Sequence, residues 1–199
     1  MARPFRQQID EGILDRAAAL FARRGFAKTS VQDVADTVGL SKAGLLHHFP
    51  SKDALREAVL AQAEALGQRV LDPVRDLPLG AARDQRALEV LVDVALAHPG
   101  MVALLLAPVT RGDADLHAPE IESAGAAALQ AFGVGRDTTD VERGVRVVGA
   151  LSALAVLTLA AHGEDQTTAW RPLVVATCFD ALGHRRRSAV LPDSHQVEA

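Results

Sequence analysis

Hydrophobic positions recur at helical spacing along almost the whole chain. Apolar residues return every three or four positions in segment after segment, and long alternation of the strand type is absent. The first such pattern, at residues 9–24, predicts a helix with a buried stripe made of Ile9, Ile13, Ala17, Leu20 and Phe21. Residues 1–8 have no apolar period and are predicted to be an arm outside this helix. The pattern indicates an all-α chain.

Two short helices separated by a glycine follow the first one. Ser30 suits an N-cap, and Asp33 three residues later completes a capping signature. Gly39 suits the left-handed position after a helix, and Ser41 can cap the next helix. Helix, tight turn and helix form the sequence pattern of a helix-turn-helix, whose second helix enters the DNA major groove. A helical hairpin in another kind of globular domain produces the same local pattern.

The surroundings of this motif resemble the TetR family of transcriptional regulators. The resemblance covers about residues 9–60 and rests on ALFARRGF at 19–26, on Gly39-Leu40-Ser41, and on HFPSKDAL at 48–55. It implies a three-helix DNA-binding head followed by a larger helical domain for ligand binding and dimerisation. Leu46 departs from the pattern, because the family usually has a tyrosine there that reaches a DNA phosphate.

DNA contacts are expected at the starts of three helices. Thr29 and Lys52 resemble family positions that hold backbone phosphates, with a purely capping role as the alternative for Thr29. Base edges are usually read by the amino-terminal residues of the recognition helix, and Lys42 could also bind a phosphate. The predicted DNA-binding residues are Thr29, Ser41, Lys42, Ala43, Gly44, His47 and Lys52.

The charge distribution agrees with a DNA-binding amino-terminal region. The chain as a whole has a formal net charge of −4. Residues 1–60, however, contain nine Lys and Arg against seven Asp and Glu, whereas the remainder contains twelve against eighteen. The acidic remainder would be repelled by DNA and would help to orient the molecule as it approaches.

The rest of the chain is predicted to be helical. A helix of some 20 residues begins at Ser51-Lys52 and would link the head to the remainder, and Pro73, Pro78 and Gly80 then break the pattern. Further helices are predicted at 81–97, 101–107, 120–132, 140–162 and 168–184. With about nine helices in all, we divide the chain into a helix-turn-helix domain (1–50), a regulatory and dimerisation domain (51–184) and a disordered tail (185–199).

The last two helices are apolar on most faces, and one chain has little to cover them. We therefore expect a two-fold homodimer in which two helices from each chain form a four-helix bundle, as the resemblance also implies. Such a dimer predicts a pseudo-palindromic operator in double-stranded DNA. The predicted interface residues are Val148, Leu151, Ala155, Leu173, Thr177 and Ala181.

A pocket for a hydrophobic small molecule is implied by the resemblance and fits the aliphatic middle of the chain. A filled core without a ligand is the alternative. The predicted lining, in which Arg111, His117 and Thr158 would be the polar anchors, is Met101, Leu105, Val109, Arg111, His117, Leu154 and Thr158.

Signatures of other functions are absent. The sequence has no nucleophile elbow, glycine-rich phosphate loop or HExxH motif, and its scattered histidines favour no metal site. We expect no enzymatic activity and no cofactor. We also expect a cytoplasmic protein, since the single cysteine, Cys178, fits a reducing compartment and the amino terminus has no apolar signal core. The apolar stretch 147–161 is too short to span a bilayer. The predicted function is a homodimeric repressor that a hydrophobic ligand releases from its operator. The alternatives are a DNA-binding regulator (an activator included) without a ligand, and a helical carrier or enzyme that only resembles the head.

Overall fold

A computed structural model describes residues 2–111, 119–135 and 137–184, and their side chains at 8–107, 121–135 and 137–184. The all-α prediction is confirmed, because these residues form nine α-helices and no strand. The helices are α1 (Ala2–Arg24), α2 (Val31–Val38), α3 (Lys42–His48), α4 (Lys52–Leu71), α5 (Ala81–Ala97), α6 (Pro99–Arg111), α7 (Pro119–Ala131), α8 (Val141–Gly163) and α9 (Thr167–Ala181).

The first helix begins earlier than its apolar pattern does. The prediction of an arm at residues 1–8 was wrong, because α1 begins at Ala2. Pro4 lies within the first turn, where a missing backbone N–H is tolerated, and the following residues include no helix breaker. Ile9 is 38% exposed and lies outside the core, whereas Ile13, Ala17 and Phe21 are buried as predicted.

Local capping determines the geometry of α2 and α3. The Ser30 hydroxyl accepts a hydrogen bond from the Asp33 N–H, and the Asp33 carboxylate accepts one from the Ser30 N–H, which completes the predicted capping box. Gly39 ends α2 with a φ of 75°, a left-handed conformation that costs glycine little. Ser41 caps α3 through the Gly44 N–H at 3.0 Å. The two helices therefore form the predicted helix-turn-helix.

Helix α4 connects this head to the remaining helices and packs closely on α7. A Cβ atom placed on Gly67 would lie 2.9 Å from Cα and 3.1 Å from the carbonyl oxygen of Ala124. The absence of a side chain at Gly67 therefore allows the two helix backbones to approach each other. The expected break follows α4 as a short 3₁₀ turn, Asp72–Val74, and a bend that lasts to Gly80.

Helices α5 and α6 meet at a sharp corner of 101° at His98. The prediction placed the second of these helices at 101–107, but it begins at Pro99 and extends to Arg111. Proline is well suited to the first helical position, so the His-Pro-Gly sequence ends one helix and starts the next. The first turn of α6 packs against α1 of the head.

A buried polar cluster joins the start of α5, the start of α8 and the end of α9. The Asp84 carboxylate is buried and accepts a hydrogen bond from Arg143 at 2.7 Å, and its second oxygen lies 2.6 Å from Nε2 of His184. Arg83, beside it, is also buried and donates only to backbone carbonyls, those of Arg75, Leu77, Gln130 and Ala131. These bonds hold the start of α5, at the opposite end of that helix from the corner at His98.

Helices α8 and α9 present an uncovered apolar surface. Val141, Val145, Val148 and Val156 are exposed and recur at helical spacing on one side of α8, and Leu173 is exposed on α9. Helix α8 is longer than the apolar stretch 147–161 and, by length and composition alone, could cross a membrane, with 33% of its most apolar window buried. A core helix of a soluble bundle passes the same test, so this finding does not distinguish the two.

Candidate nucleic-acid interface and effector cavity

Helix α3 exposes the residues that were expected to contact DNA. Lys42 and Ala43 are exposed in its first turn and His47 is exposed near its end, while Leu45 is buried on the opposite side. Gly44 is half-buried, and a Cβ atom there would lie 3.2 Å from the Ser41 hydroxyl oxygen. The exposed side of α3 therefore combines a cation, an imidazole and a small surface that permits close approach.

The Lys52 side chain is held in place at the start of α4. Its ammonium donates a hydrogen bond to the Ala27 carbonyl at 3.3 Å and lies 4.2 Å from the centre of the Phe26 ring. The Arg56 guanidinium, one turn later, lies 5.3 Å from the same ring. Cations over an aromatic face gain electrostatic stabilisation, so Phe26 orients two positive charges at this edge of the head. Sequence reasoning missed Arg56, because only the fold brings Phe26 and α4 together.

The burial of Thr29 argues against its expected phosphate contact. Its side chain is 1% exposed, and its hydroxyl donates to the Gly25 carbonyl at 2.8 Å. The hydroxyl is thereby used to join the end of α1 to the start of α2. This geometry fits the capping alternative, and we do not retain Thr29 as a DNA contact.

His48 connects α3 to α1. Its Nδ1 lies 2.6 Å from a carboxylate oxygen of Asp10, both side chains being partly buried. An ionised carboxylate only accepts hydrogen bonds, so Nδ1 carries the proton. Leu46, at the position where a tyrosine was expected, is half-buried and offers no polar atom to a phosphate. The recognition helix is thus attached to α1 on one side and presents Lys42 and His47 on the other.

Asp33 carries the electrostatic stabilisation of α2. The Ser30 hydroxyl, first, and the Ser30 backbone N–H hold the pKa of the Asp33 carboxyl below its ordinary value, and Arg24 at 3.0 Å adds to this effect. Arg24, although its side chain is 55% exposed, is therefore engaged in an ion pair, whereas the exposed Lys28 and Lys42 form no ion pair with the described residues. Exposed lysines are the better candidates for phosphate contacts.

An apolar cavity of about 300 Å³ lies between α5, α6, α7 and α8. Its walls include Leu105 and Leu154, as predicted, together with the following residues that were not: Leu91, Ala95, Val102, Leu106, Ile121, Gly125, Ala128, Leu129, Val148, Leu151, Ser152 and Ala155. The Ser152 hydroxyl is the only polar side-chain group among the described lining residues. Pockets for small molecules are commonly at least this large, and the lining favours an uncharged, apolar guest.

A smaller cavity of about 60 Å³ adjoins the first and extends to α4. Predicted residue Met101 lines it together with His98, and Leu105 lines both cavities. On α4 its walls are Ala63, Leu66, Gly67 and Val70. The apolar space therefore reaches the helix that begins at Lys52.

Thr158 is the one predicted polar anchor whose side chain lies in the described part of the chain, and it does not line either cavity. Thr158 is buried, but its hydroxyl donates to the Leu154 and Ala155 carbonyls of its own helix. The side chains of Val109 and Arg111 are outside the described set, and His117 lies in the undescribed segment 112–118. Among the described residues, the lining of the larger cavity is thus apolar apart from Ser152.

Most of the predicted interface residues lie on the uncovered apolar surface. Val148 is 54% exposed and Leu173 is 63% exposed, and Thr177 and Ala181 are also exposed on α9. Leu151 is half-buried at the border of this surface. Ala155 differs from the others, because it is buried within its own chain and lines the cavity. When a helix is apolar on most sides, its sequence does not show which of those sides packs against the rest of the same chain.

Cys178 offers no reactive site. The side chain is fully buried, and burial raises the pKa of its thiol to about 11. The thiolate form required for nucleophilic chemistry is therefore scarce at neutral pH.

Comparisons with known proteins agree with the helix-turn-helix geometry. The family model described as "Bacterial regulatory proteins, tetR family" matches residues 13–59. The HTH-type transcriptional repressor KstR2 of Rhodococcus jostii is 46% identical over 48 residues, which are 24% of each chain. The HTH-type transcriptional regulator RutR of Escherichia coli K12 is 36% identical over 84 residues, 41% of this chain and 40% of that protein. The chain thus matches well under half the length of these curated relatives.

The fold agrees with a solved structure over nearly the whole length. A TetR-like transcriptional regulator from Rhodococcus sp. RHA1 superposes with a TM-score of 0.54 at 22% identity, covering 93% of this chain and 100% of that one. At this identity the likeness concerns the fold alone, while the family model matches the head and the first part of α4, residues 13–59. Residues 13–59 thus match the family of tetR bacterial regulatory proteins, and the helical architecture of the chain resembles that of a TetR-like transcriptional regulator.

Proposed function

We propose that this protein is a homodimeric transcriptional repressor, acting in the cytoplasm, that a hydrophobic small molecule releases from its operator. The observation that carries the proposal is the exposed amino-terminal side of α3 in a head of the TetR type, where Lys42, Ala43 and His47 are free of the core. A recognition helix with this orientation can enter the major groove with its first turn.

DNA binding would combine few base contacts with several phosphate contacts. Lys42 can donate to a guanine edge or a phosphate, and Ala43 can contact a thymine methyl group. Lys52 and Arg56, oriented by Phe26, lie where a phosphate backbone would pass the start of α4. With so few polar side chains on α3, DNA shape would contribute to the choice of operator.

The apolar surface of α8 and α9 supports a two-fold dimer. The surface consists of two adjacent helices, and a second copy would cover it with the same two helices to form a four-helix bundle. The two heads would then meet two half-sites of a pseudo-palindromic duplex. The domain division at residue 50 is part of this proposal, with α4 as the connection.

Release by a ligand is supported by the position of the apolar cavities. A guest in the larger cavity would contact α6 and α8, and the smaller cavity continues to α4. Because α4 starts at Lys52, a displacement of its middle would reorient a residue proposed to bind DNA. Ligand and DNA would then oppose each other through one coupling free energy.

The first test is a binding measurement with a duplex selected from a random pool by the full chain. Lys42→Gln and Lys52→Gln should each weaken binding and lower the salt slope by about two for the dimer, because each removes a phosphate or base-edge cation from both half-sites. Arg86→Gln, a cation on α5 in the body, is the control and should leave both values unchanged. Equal salt slopes in all three variants would refute the proposed DNA-binding surface.

The second measurement adds straight-chain alcohols of six to twelve carbons as apolar probes. Two results together would support release by a ligand. The alcohols should release the duplex from the wild type, and they should no longer release it from an Ala128→Phe variant, whose larger side chain fills the cavity. If the duplex stays bound with every alcohol although Ala128→Phe lowers alcohol binding, occupancy of the cavity does not control the head. The protein would then be a DNA-binding regulator without this form of release.

A further inference from the structure

The amino end of α6 has no cap in its own sequence. His98 occupies the capping position, and His is not among the residues that favour it. Pro99 has no N–H, and the Val102 N–H donates to the His98 carbonyl at 3.2 Å. The Gly100 and Met101 N–H groups therefore require acceptors from elsewhere, since unpaired N–H groups at a buried helix start are costly.

Asp15 of α1 supplies both acceptors. One oxygen of its carboxylate accepts from the Gly100 N–H at 3.1 Å, and the other accepts from the Met101 N–H at 3.0 Å. The head thus caps a helix of the body across 85 residues of sequence. A carboxylate also suits the positive end of a helix dipole, which strengthens this attachment.

The backbones of α1 and α6 also touch at this point. Gly100 is buried, and a Cβ atom placed on it would overlap the carbonyl group of Asp15. The first turn of α6 therefore lies directly on α1, without side chains between them. A shift of this turn cannot be absorbed by side-chain rearrangement and must displace α1 or break the cap.

The same turn forms a wall of the smaller cavity. Met101 is buried, and its side chain lines that cavity together with His98. Val102 and Leu105, farther along α6, line both cavities. Met101 thus contacts the apolar space with its side chain and the head with its backbone N–H.

Helix α1 connects this cap to the recognition helix. Asp10, five residues before Asp15, holds Nδ1 of His48 on α3 at 2.6 Å. Five residues of continuous helix span about 7.5 Å, so the two carboxylates lie on one short, stiff segment. The chain of contacts from the cavity is therefore Met101, Asp15, α1, Asp10 and His48.

We propose that Asp15 is a positioning residue that transmits displacements of the first turn of α6 through α1 to the recognition helix, in parallel with α4. The biological use of this coupling rests on the proposed function. The coupling itself concerns only the contacts among α1, α3 and α6. Coupling requires more than a series of contacts: a substitution at one end must change the structure or dynamics at the other end.

Amide hydrogen exchange of the full chain tests this coupling without DNA or ligand. Asp15→Ala should speed exchange at Gly100 and Met101 by about tenfold, because two acceptors are lost, and should also speed exchange in α3 severalfold. Asp10→Ala should act reciprocally, on α3 directly and on the first turn of α6 through α1. Asp15→Asn keeps one acceptor oxygen and should give intermediate rates.

The controls separate transmission from simple destabilisation. Glu57→Ala removes an exposed carboxylate from α4 and should leave α3 and α6 unchanged. Amides in α9, far from α1, should exchange at wild-type rates in every variant. Faster exchange confined to α6 in Asp15→Ala would make Asp15 a local cap, and faster exchange everywhere would make it a general stabiliser; either result overturns the proposal. Failure of the wild type to select a duplex would instead refute the proposed function.

Discussion

Asp33 shows how one carboxylate organises the entrance to the helix-turn-helix. It accepts hydrogen bonds from the Ser30 N–H at 2.8 Å and from the Ser30 hydroxyl at 2.6 Å, and it pairs with Arg24. Because the pKa of Asp33 is lower in the folded chain than its ordinary value of 3.8, folding favours its ionised form. The contribution to stability is therefore complete above the unfolded pKa and is lost as pH falls through the folded pKa.

We predict that Asp33→Asn lowers the melting temperature at neutral pH. The deficit should stay constant between about pH 7 and pH 5. It should shrink as the pH falls below about 4, from the unfolded pKa toward the lower folded pKa, below which the wild-type carboxyl group is itself protonated. Thermal unfolding across this range provides the measurement. Asp36→Asn, on the same helix but outside the capping box, controls for the loss of one charge. A deficit that remained unchanged at pH 3 would contradict this account.

Residue roles were predictable from the sequence where they depend on neighbours in the chain. The Ser30, Gly39 and Ser41 caps follow from residue type and spacing, and the structure has them as expected. The burial of Thr29 and the use of the Thr158 hydroxyl by its own helix depend on packing, which spacing does not encode. The aromatic support of Arg56 likewise needs the fold, because Phe26 lies on a turn 30 residues earlier.

At the scale of helices, Gly67 controls the contact between α4 and α7. In an isolated helix, Gly→Ala would be stabilising by up to about 1 kcal/mol. At Gly67 the new methyl group would press on the Ala124 backbone at 2.9 Å, which has no side chain to move aside. We predict that Gly67→Ala destabilises the chain by about 1–3 kcal/mol in urea unfolding.

Gly12→Ala on α1 is the matched variant for this prediction. A Cβ atom at Gly12 would meet nothing within 4 Å, so the substitution should stabilise the chain or leave its stability unchanged. Equal effects at Gly12 and Gly67 would show that helix propensity, and not the close approach of α4 and α7, determines the result. The comparison therefore isolates packing from propensity.

Helix identity was predictable, and helix ends were less so. The apolar period located the nine helices, since each buries one side in a common core. The starts of α1 and α6 lie before their apolar patterns, because a polar turn can extend a helix when nothing breaks it or when another segment caps it. The cap on α6 comes from Asp15, which no local pattern could reveal.

At the scale of the molecule, the uncovered side of α8 and α9 is the basis for a dimer. We predict that Leu173→Asp gives the mass of one chain in light scattering at micromolar concentration, because it places a charge in the centre of the proposed bundle. Leu79→Asp is the control, since Leu79 is 68% exposed but lies before α5 and belongs to neither α8 nor α9. A Leu173→Asp protein that keeps the mass of two chains would exclude this interface.

The cluster around Asp84 gives the helical body one fixed end. Asp84 lies in the first turn of α5 and His98 follows its last residue, about 21 Å away along the helix. Because the polar cluster holds α5 near Asp84, a displacement of this helix would be largest at its other end, at His98. The apolar cavities lie between these two points. Any expansion of the cavities would therefore be converted into motion at the corner, where α6 meets the head. The Asp84–Arg143 ion pair would thus influence this motion although neither residue lines a cavity or belongs to the helix-turn-helix.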